Sequence, residues 1–174
     1  MTSIIKVDQI QTAAGGTPTA ADLGLNVSGT VLQVITSKPT SATAFTSGSY
    51  VDAAGFSVTI TPKYSDSLIV ISITAQTVVN NNASNTGHDF RLQRAGTTIR
   101  SARWFNYLNR SSYANDYYPP FVLDHQDTPS TTSAITYNLQ GRIYNGADGP
   151  WTINTYNGGS GGSYGLMTVT EIAQ

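Results

Sequence analysis

The chain contains no cysteine and only two histidines, and charged residues make up 11% of its 174 positions, with a net charge of −1. Without cysteine there is neither a disulfide framework nor a thiolate metal site. Scarce charge with no cluster of Lys or Arg removes the electrostatic footprint by which proteins hold nucleic acid, so no nucleic-acid partner is expected. No stretch approaches the roughly 18 apolar residues of a membrane span, and residues 1–20 lack the basic and apolar regions of a secretory signal. The expectation is a soluble chain that does not follow the usual secretory route and inserts in no membrane. Helix formers are also few, which argues against an α-helical domain.

What is abundant is Thr, Ser, Asn, Gly and Tyr, the composition of strands joined by polar turns. The segment 56–61 alternates with period two, placing Phe56, Val58 and Ile60 on one face and Ser57, Thr59 and Thr61 on the other, and Pro62 ends it. Leu68-Ile69-Val70-Ile71 is a continuous apolar run, as expected of a strand buried on both faces. Further strands are predicted at Thr30–Ile35, Asp89–Arg94, Thr97–Arg103, Phe121–Leu123, Ala134–Tyr144, Trp151–Tyr156 and Tyr164–Ile172. Lys63–Ser67 reads as a turn, and Arg94-Ala95-Gly96-Thr97 as a tight hairpin with Gly96 at a positive φ. Regular short strands between turn clusters predict an all-β, antiparallel β-sandwich.

Catalytic chemistry is hard to assemble from this chain. His88 has Asp89 beside it, and His125 has Asp124 and Asp127 nearby, but neither spacing matches a metal-ligand or acid–base motif, and surface or loop-anchoring roles are expected for both. No G-x-S-x-G nucleophile motif occurs. The glycine-rich segment 157–163 has no Lys at phosphate-cradle spacing and no helix after it, so it reads as a hairpin loop. The expectation is a protein with no catalytic residues, no metal and no cofactor.

Two segments stand out instead. The first 29 residues open with an alternating strand whose Ile5, Val7 and Ile10 share one apolar side, run through small residues, and close on Leu23 and Leu25. So short a segment buries nothing alone, which makes it an assembly arm, with residues 30–174 as the folded domain. The second is 104–120, the densest aromatic stretch, in which Trp104, Tyr107, Tyr113, Tyr117 and Tyr118 are interleaved with Asn109, Arg110 and Asp116. Aromatic faces cover the apolar sides of sugars while amide, carboxylate and guanidinium groups bond their hydroxyls, and the same residues serve equally as anchors between subunits. Both readings, external ligand contact and subunit interface or core, stand at this point.

The opening Ser3–Thr12 and the following Gly16–Leu25 resemble the N-terminal segment of fibre-like virion proteins of tailed bacteriophages, notably those infecting cyanobacteria and other aquatic bacteria. Gly55–Pro62, Ser67–Val70, Phe90–Arg94, Asp127–Tyr137 and Leu166–Ile172 are similar to the same family in the same order, so the resemblance covers almost the whole chain. It implies a homotrimer with a jelly-roll head similar to those of tumour-necrosis-factor and complement-type trimers, docked by its arms to other virion proteins of the tail, baseplate or capsid, and presenting the head to a host-surface glycan. The same resemblance admits a purely structural decoration or connector protein. A virion location follows, with assembly in the host cytoplasm. Long phage fibres often carry a repetitive shaft, which is absent here. At 3.3–3.6 Å per residue, the connector 13–30 spans at most roughly 60 Å.

Overall fold

A computed structural model gives the fold and describes residues 11, 14–18, 23, 28–79, 85–109, 117–144, 150–154 and 165–174, excepting the side chains of 85, 86 and 104–109. The described strands are β1 (Val31–Ser37), β2 (Thr43–Phe45), β3 (Val51–Ile60), β4 (Leu68–Val79), β5 (Asn85–Arg94), β6 (Thr97–Asn109), β7 (Pro120–Asp127), β8 (Ile135–Ile143), β9 (Trp151–Ile153) and β10 (Leu166–Ile172). Nine correspond to sequence expectations, most of them longer than predicted. β2 was not foreseen, because three residues are too few to show a period.

Pairing is antiparallel throughout. In the first sheet β10 and then β9 occupy successive stretches along one side of β4, β1 and β2 flank them in turn, and β7 pairs with the other side of β4. The sheet is thus effectively four strands wide, in the order β1/β2, β10/β9, β4, β7. The second sheet has the order β3-β8-β5-β6. These two orders, facing one another, are those of a jelly roll, two interleaved Greek keys.

Period-two alternation fills the space between the sheets. Ile69, Ile71, Ile73, Phe121, Leu123, Met167 and Val169 from the first meet Phe56, Val58, Ile60, Phe90, Leu92 and Leu139 from the second. Phe90 meets Phe121 edge-on with ring centroids 4.8 Å apart, a favoured aromatic geometry. Only one face of β4 is fully buried: Leu68 and Val70 are half-buried on the opposite side, so its apolar run does not mark a strand enclosed on both faces. Toward one end, β2 lays Phe45 on Trp151 with centroids 4.3 Å apart. Gly141 on β8 lies against this pair so closely that a Cβ there would sit 2.7 Å from Trp151 Cζ2 and 2.8 Å from Phe45 Cε1.

Irregularities have local causes. The β3–β8 register shifts between Asp52 and Ser57, where Gly55 has φ 78° and would bring a Cβ within 2.7 Å of Pro39 Cα. The β5–β6 hairpin turns on Ala95 (φ 47°) and Gly96 (φ 82°), two successive left-handed residues as in a type I′ turn. Where β9 leaves off, Asn154 (φ 63°) accepts from the Gly165 amide through Oδ1 at 2.8 Å and donates through Nδ2 to the Ser41 carbonyl at 2.9 Å.

The strand directions give the domain two unlike ends. Gly29 N donates to the Ala173 carbonyl at 2.8 Å and Ala173 N to the Thr30 carbonyl at 2.9 Å, so the chain enters β1 beside the exit of β10. This end also carries the β3–β4, β5–β6 and β7–β8 connections. The opposite end receives the close of β4 and β6 and the starts of β5 and β7. β4, twelve residues long, separates the ends by about 40 Å at 3.3 Å per residue.

Candidate functional site

The expected site residues fall unevenly on this frame. Ile5, Val7, Ile10 and Leu25 of the arm, and Arg110, Tyr113 and Asp116 of the aromatic segment, lie outside the described residues. Leu23 is exposed. Trp104, Tyr107 and Asn109 lie on β6, whose partner strand is β5. Tyr117 is exposed and bridges Val79 through two backbone bonds, its amide to the Val79 carbonyl and the Val79 amide to its own. Tyr118 is half-buried, and its carbonyl accepts from Gln76 Nε2 at 2.8 Å. The described flanks of the aromatic segment, β6 and Tyr117, therefore close the end of the sandwich opposite the chain entry.

His88 corrects an expectation: it is not a surface or loop residue but is buried in β5, its ring 5.1 Å from that of Trp151. Phe90 and Leu92 continue the same inward-facing row. Asp89 next to it is buried on the outward side, accepting from Arg142 Nε and Nη2 at 2.9 and 2.7 Å. This bond holds the Arg142 guanidinium above its ordinary value, against the opposing effect of burial. His125 is half-buried on β7, and burial holds it below its ordinary value, with Asp127 pulling it up and Arg100 pressing it down. Among the described residues no three His, Asp or Glu side chains converge in a group that could hold a metal ion. No described helix is long and apolar enough to cross a membrane.

Two carboxylates, half-buried Asp127 and buried Glu171, act as fasteners. Asp127 on β7 accepts from Arg94 Nη1 at 2.9 and 3.0 Å and from the Tyr137 hydroxyl at 2.7 Å, joining the two sheets. Burial and that hydrogen bond both push the Tyr137 hydroxyl well above its ordinary value. Glu171 on β10 accepts from the Lys63 amide at 2.6 Å, the Ser67 hydroxyl at 2.6 Å and the Gln33 amide group, pinning the β3–β4 turn across the sandwich. Burial presses its carboxyl upward, but the bonds from Ser67, Gln33 and the amides of Lys63 and Tyr64 outweigh this and hold it below the usual carboxylate value.

The outer faces of the two sheets differ in chemistry. On the first, Val34, Thr170, Val70 and Gln126 form one row across the strands, Thr36, Thr168, Ser72 and Asp124 the next, and Leu166, Thr74 and Val122 a third. Val34 and Val122 are 55% and 56% exposed, and Asp124, on the edge strand β7, is the one charged residue in these rows. The outer face of the second sheet is polar: Asp52 and Ser57 on β3, Asn138, Gln140 and Arg142 on β8, Asp89, Arg91 and Gln93 on β5, Ser101 and Arg103 on β6. There the guanidinium carbons of Arg91 and Arg142 lie 4.2 and 4.6 Å from the centroid of the Tyr50 ring. This cluster was not singled out from the sequence, although Asp89-Phe90-Arg91 and Asn138-Leu139-Gln140-Gly141-Arg142 carry its period-two signal.

No protein-family model matches the chain, and no curated protein sequence matches it. Among solved structures it is similar to dimeric latent PorU from Porphyromonas gingivalis, at 11% identity over 84% of this chain, with a TM-score of 0.37. It is also similar to structures of infectious bursal disease virus, the Gt strain at 18% identity over 81% of this chain and the Gx strain at 15% over 83%, each with a TM-score of 0.35. The chain spans 14%, 37% and 38% of the lengths of those three chains.

Proposed function

We propose that this chain is a virion structural protein of a tailed bacteriophage, a short fibre-like homotrimer. Its residues 1–29 dock to other virion proteins of the tail, baseplate or capsid, and its jelly-roll head faces the host surface and binds glycan there. The role is one of assembly and binding rather than catalysis.

The observation that carries the reading is the outer face of the first sheet. Exposed Val34, Val122 and Leu166 with Thr and Ser around them, and in these rows a charge only at Asp124, are unusual for a sheet face left in water and suited to packing against another protein. The 40 strand residues of this sheet, each covering about 3.3 by 4.8 Å, present roughly 630 Å², of the order of the ~800 Å² per partner of a stable interface. Copies of the same chain are the favoured occupant, because a face with so little charge can turn toward a threefold axis beside its own copies without repulsion. The two ends support the rest: the arm side and the aromatic side lie at opposite poles, so three parallel heads would place three arms together and three recognition surfaces together. Weak contacts at three such sites combine through effective concentration.

Light scattering on the full chain tests this. The expected mass is three times that of the 18.5 kDa chain. Val70→Arg and Val122→Asp, which place charges on the outer face, should yield folded monomers. A full chain that is monomeric, or variants that remain trimeric, would reject the first sheet as the assembly face.

A further inference from the structure

The outer face of the second sheet sets three guanidiniums, Arg91, Arg103 and Arg142, against two carboxylates, Asp52 and Asp89. Arg142 is committed to Asp89 and to the Gly48 carbonyl at 3.3 Å. Asp52 accepts from Asn138 Nδ2 at 2.8 Å and Gln140 Nε2 at 2.6 Å. Arg91 is in a different position. Its Nε donates to Gln140 Oε1 at 2.6 Å and its guanidinium carbon sits 4.2 Å from the Tyr50 centroid, which fixes the orientation of the group. Among the described residues it is paired with no carboxylate, and neither is Arg103, which lies over Tyr144 at 5.7 Å.

A guanidinium held by its Nε and its face keeps the Nη pair, the donors that match a planar carboxylate, available for another partner. Arg91 is half-buried, so a counter-ion there relieves a charge partly withdrawn from water. Asp52 and Asp89 close by disfavour a densely charged polyanion, while Asp52 and the surrounding amides offer acceptors and donors to hydroxyls. A group that combines one carboxylate with several hydroxyls fits this arrangement better than a phosphate chain.

We propose that Arg91, held by Tyr50 and Gln140, is a subsite for the carboxylate of an acidic sugar. The inference rests on the proposed host-facing role for the source of that sugar, and it moves part of the recognition surface from the aromatic segment to the face of β5 and β8. The adjoining strand is β6, which carries Trp104, so the subsite borders that segment.

Calorimetric titration of the full chain with a neutral galactose oligomer ending in a single galacturonate, beside the same oligomer with that carboxylate methyl-esterified, is the test. The acid form is expected to bind and the ester not to. Arg91→Gln is expected to weaken binding roughly tenfold, about 1.4 kcal/mol, with its thermal midpoint kept. Arg91→Lys, which keeps the charge but not the paired donors, should also lose affinity and serves if the glutamine variant does not fold. Arg100→Gln, whose parent guanidinium donates to the Asp124 carbonyl at 2.6 Å away from the cluster, should bind as the natural chain does. Equal binding of the ester, unchanged binding by both Arg91 variants, or no binding of the acid oligomer overturns the proposal. Trimer mass and incorporation into particles are read without sugar, so failure of the subsite is distinguishable from failure of the virion role.

Discussion

The Tyr137 hydroxyl on β8 donates to Asp127 Oδ2 on β7 at 2.7 Å, and this bond passes from one sheet of the sandwich to the other. Asp127 also holds Arg94 of β5, so one carboxylate gathers three strands. Tyr137→Phe leaves a half-buried carboxylate with one fewer donor, Arg94 remaining, and is expected to cost about 1–2 kcal/mol in urea denaturation. The pH dependence has a definite sign. Tyr137 holds its proton more tightly folded than unfolded, so its contribution is complete below pH 10, the ordinary tyrosine value, and is lost as pH rises above it. The natural chain should lose stability more steeply above pH 10 than the phenylalanine variant.

Glu171 gives the opposite dependence. Its carboxyl is held below its ordinary 4.5 in the fold, so the stabilisation is complete above that value and is lost as pH falls through the lower, folded value. Glu171→Gln retains the shape and can keep Oε1 on Ser67 and the Lys63 amide, but its amide nitrogen then faces Gln33 Nε2, which itself donates, and the charge that strengthened all three bonds is gone. A loss of about 2–3 kcal/mol at neutral pH is expected, shrinking in acid, as read by thermal melts across pH.

Ala95 occupies a left-handed conformation that costs an L-residue with a Cβ roughly 1–2 kcal/mol. Ala95→Asn creates the Asn-Gly pair favoured in type I′ turns and is expected to stabilise the chain by about 0.5–1 kcal/mol, or a rise of roughly 1–4 °C in Tm. Ala95→Val should lower it.

Gly141→Ala places a methyl against Trp151 and Phe45 at distances no real contact tolerates. A loss of about 1–3 kcal/mol is expected from this overpacking. Adding Phe45→Leu should recover part of it, and a double-mutant cycle measures the coupling.

The period-two strands made much of the fold legible, because residues such as Phe56, Val58 and Ile60 need no context to declare an inward face. The residues that depend on distant partners were not legible. His88 reads as a surface residue beside Asp89 until β8 and Trp151 enclose it. Arg91 and Arg142 stand far apart in sequence and meet only because β5 and β8 pair and both reach Tyr50. Val122 and Leu166 show their meaning only in register with Thr74 between them. Of the expected site residues, the described flank at Tyr117 was located, and its place opposite the chain entry followed from strand direction, which sequence alone does not supply.

The strand order bears on how the molecule comes into being. β10, the last strand in chain order, lies between β1 and β4 inside the first sheet, with Val31 opposite Ile172. Until it emerges, β1 has no neighbour and β4 keeps an open edge toward solvent. Such long-range closure places folding in the slow, milliseconds-to-seconds class and after β10 has been made. Unpaired edges are exposed until then, a period in which two or three copies made side by side can mispair, and low temperature or chaperone supply during expression should govern yield more than the stability of the finished sandwich.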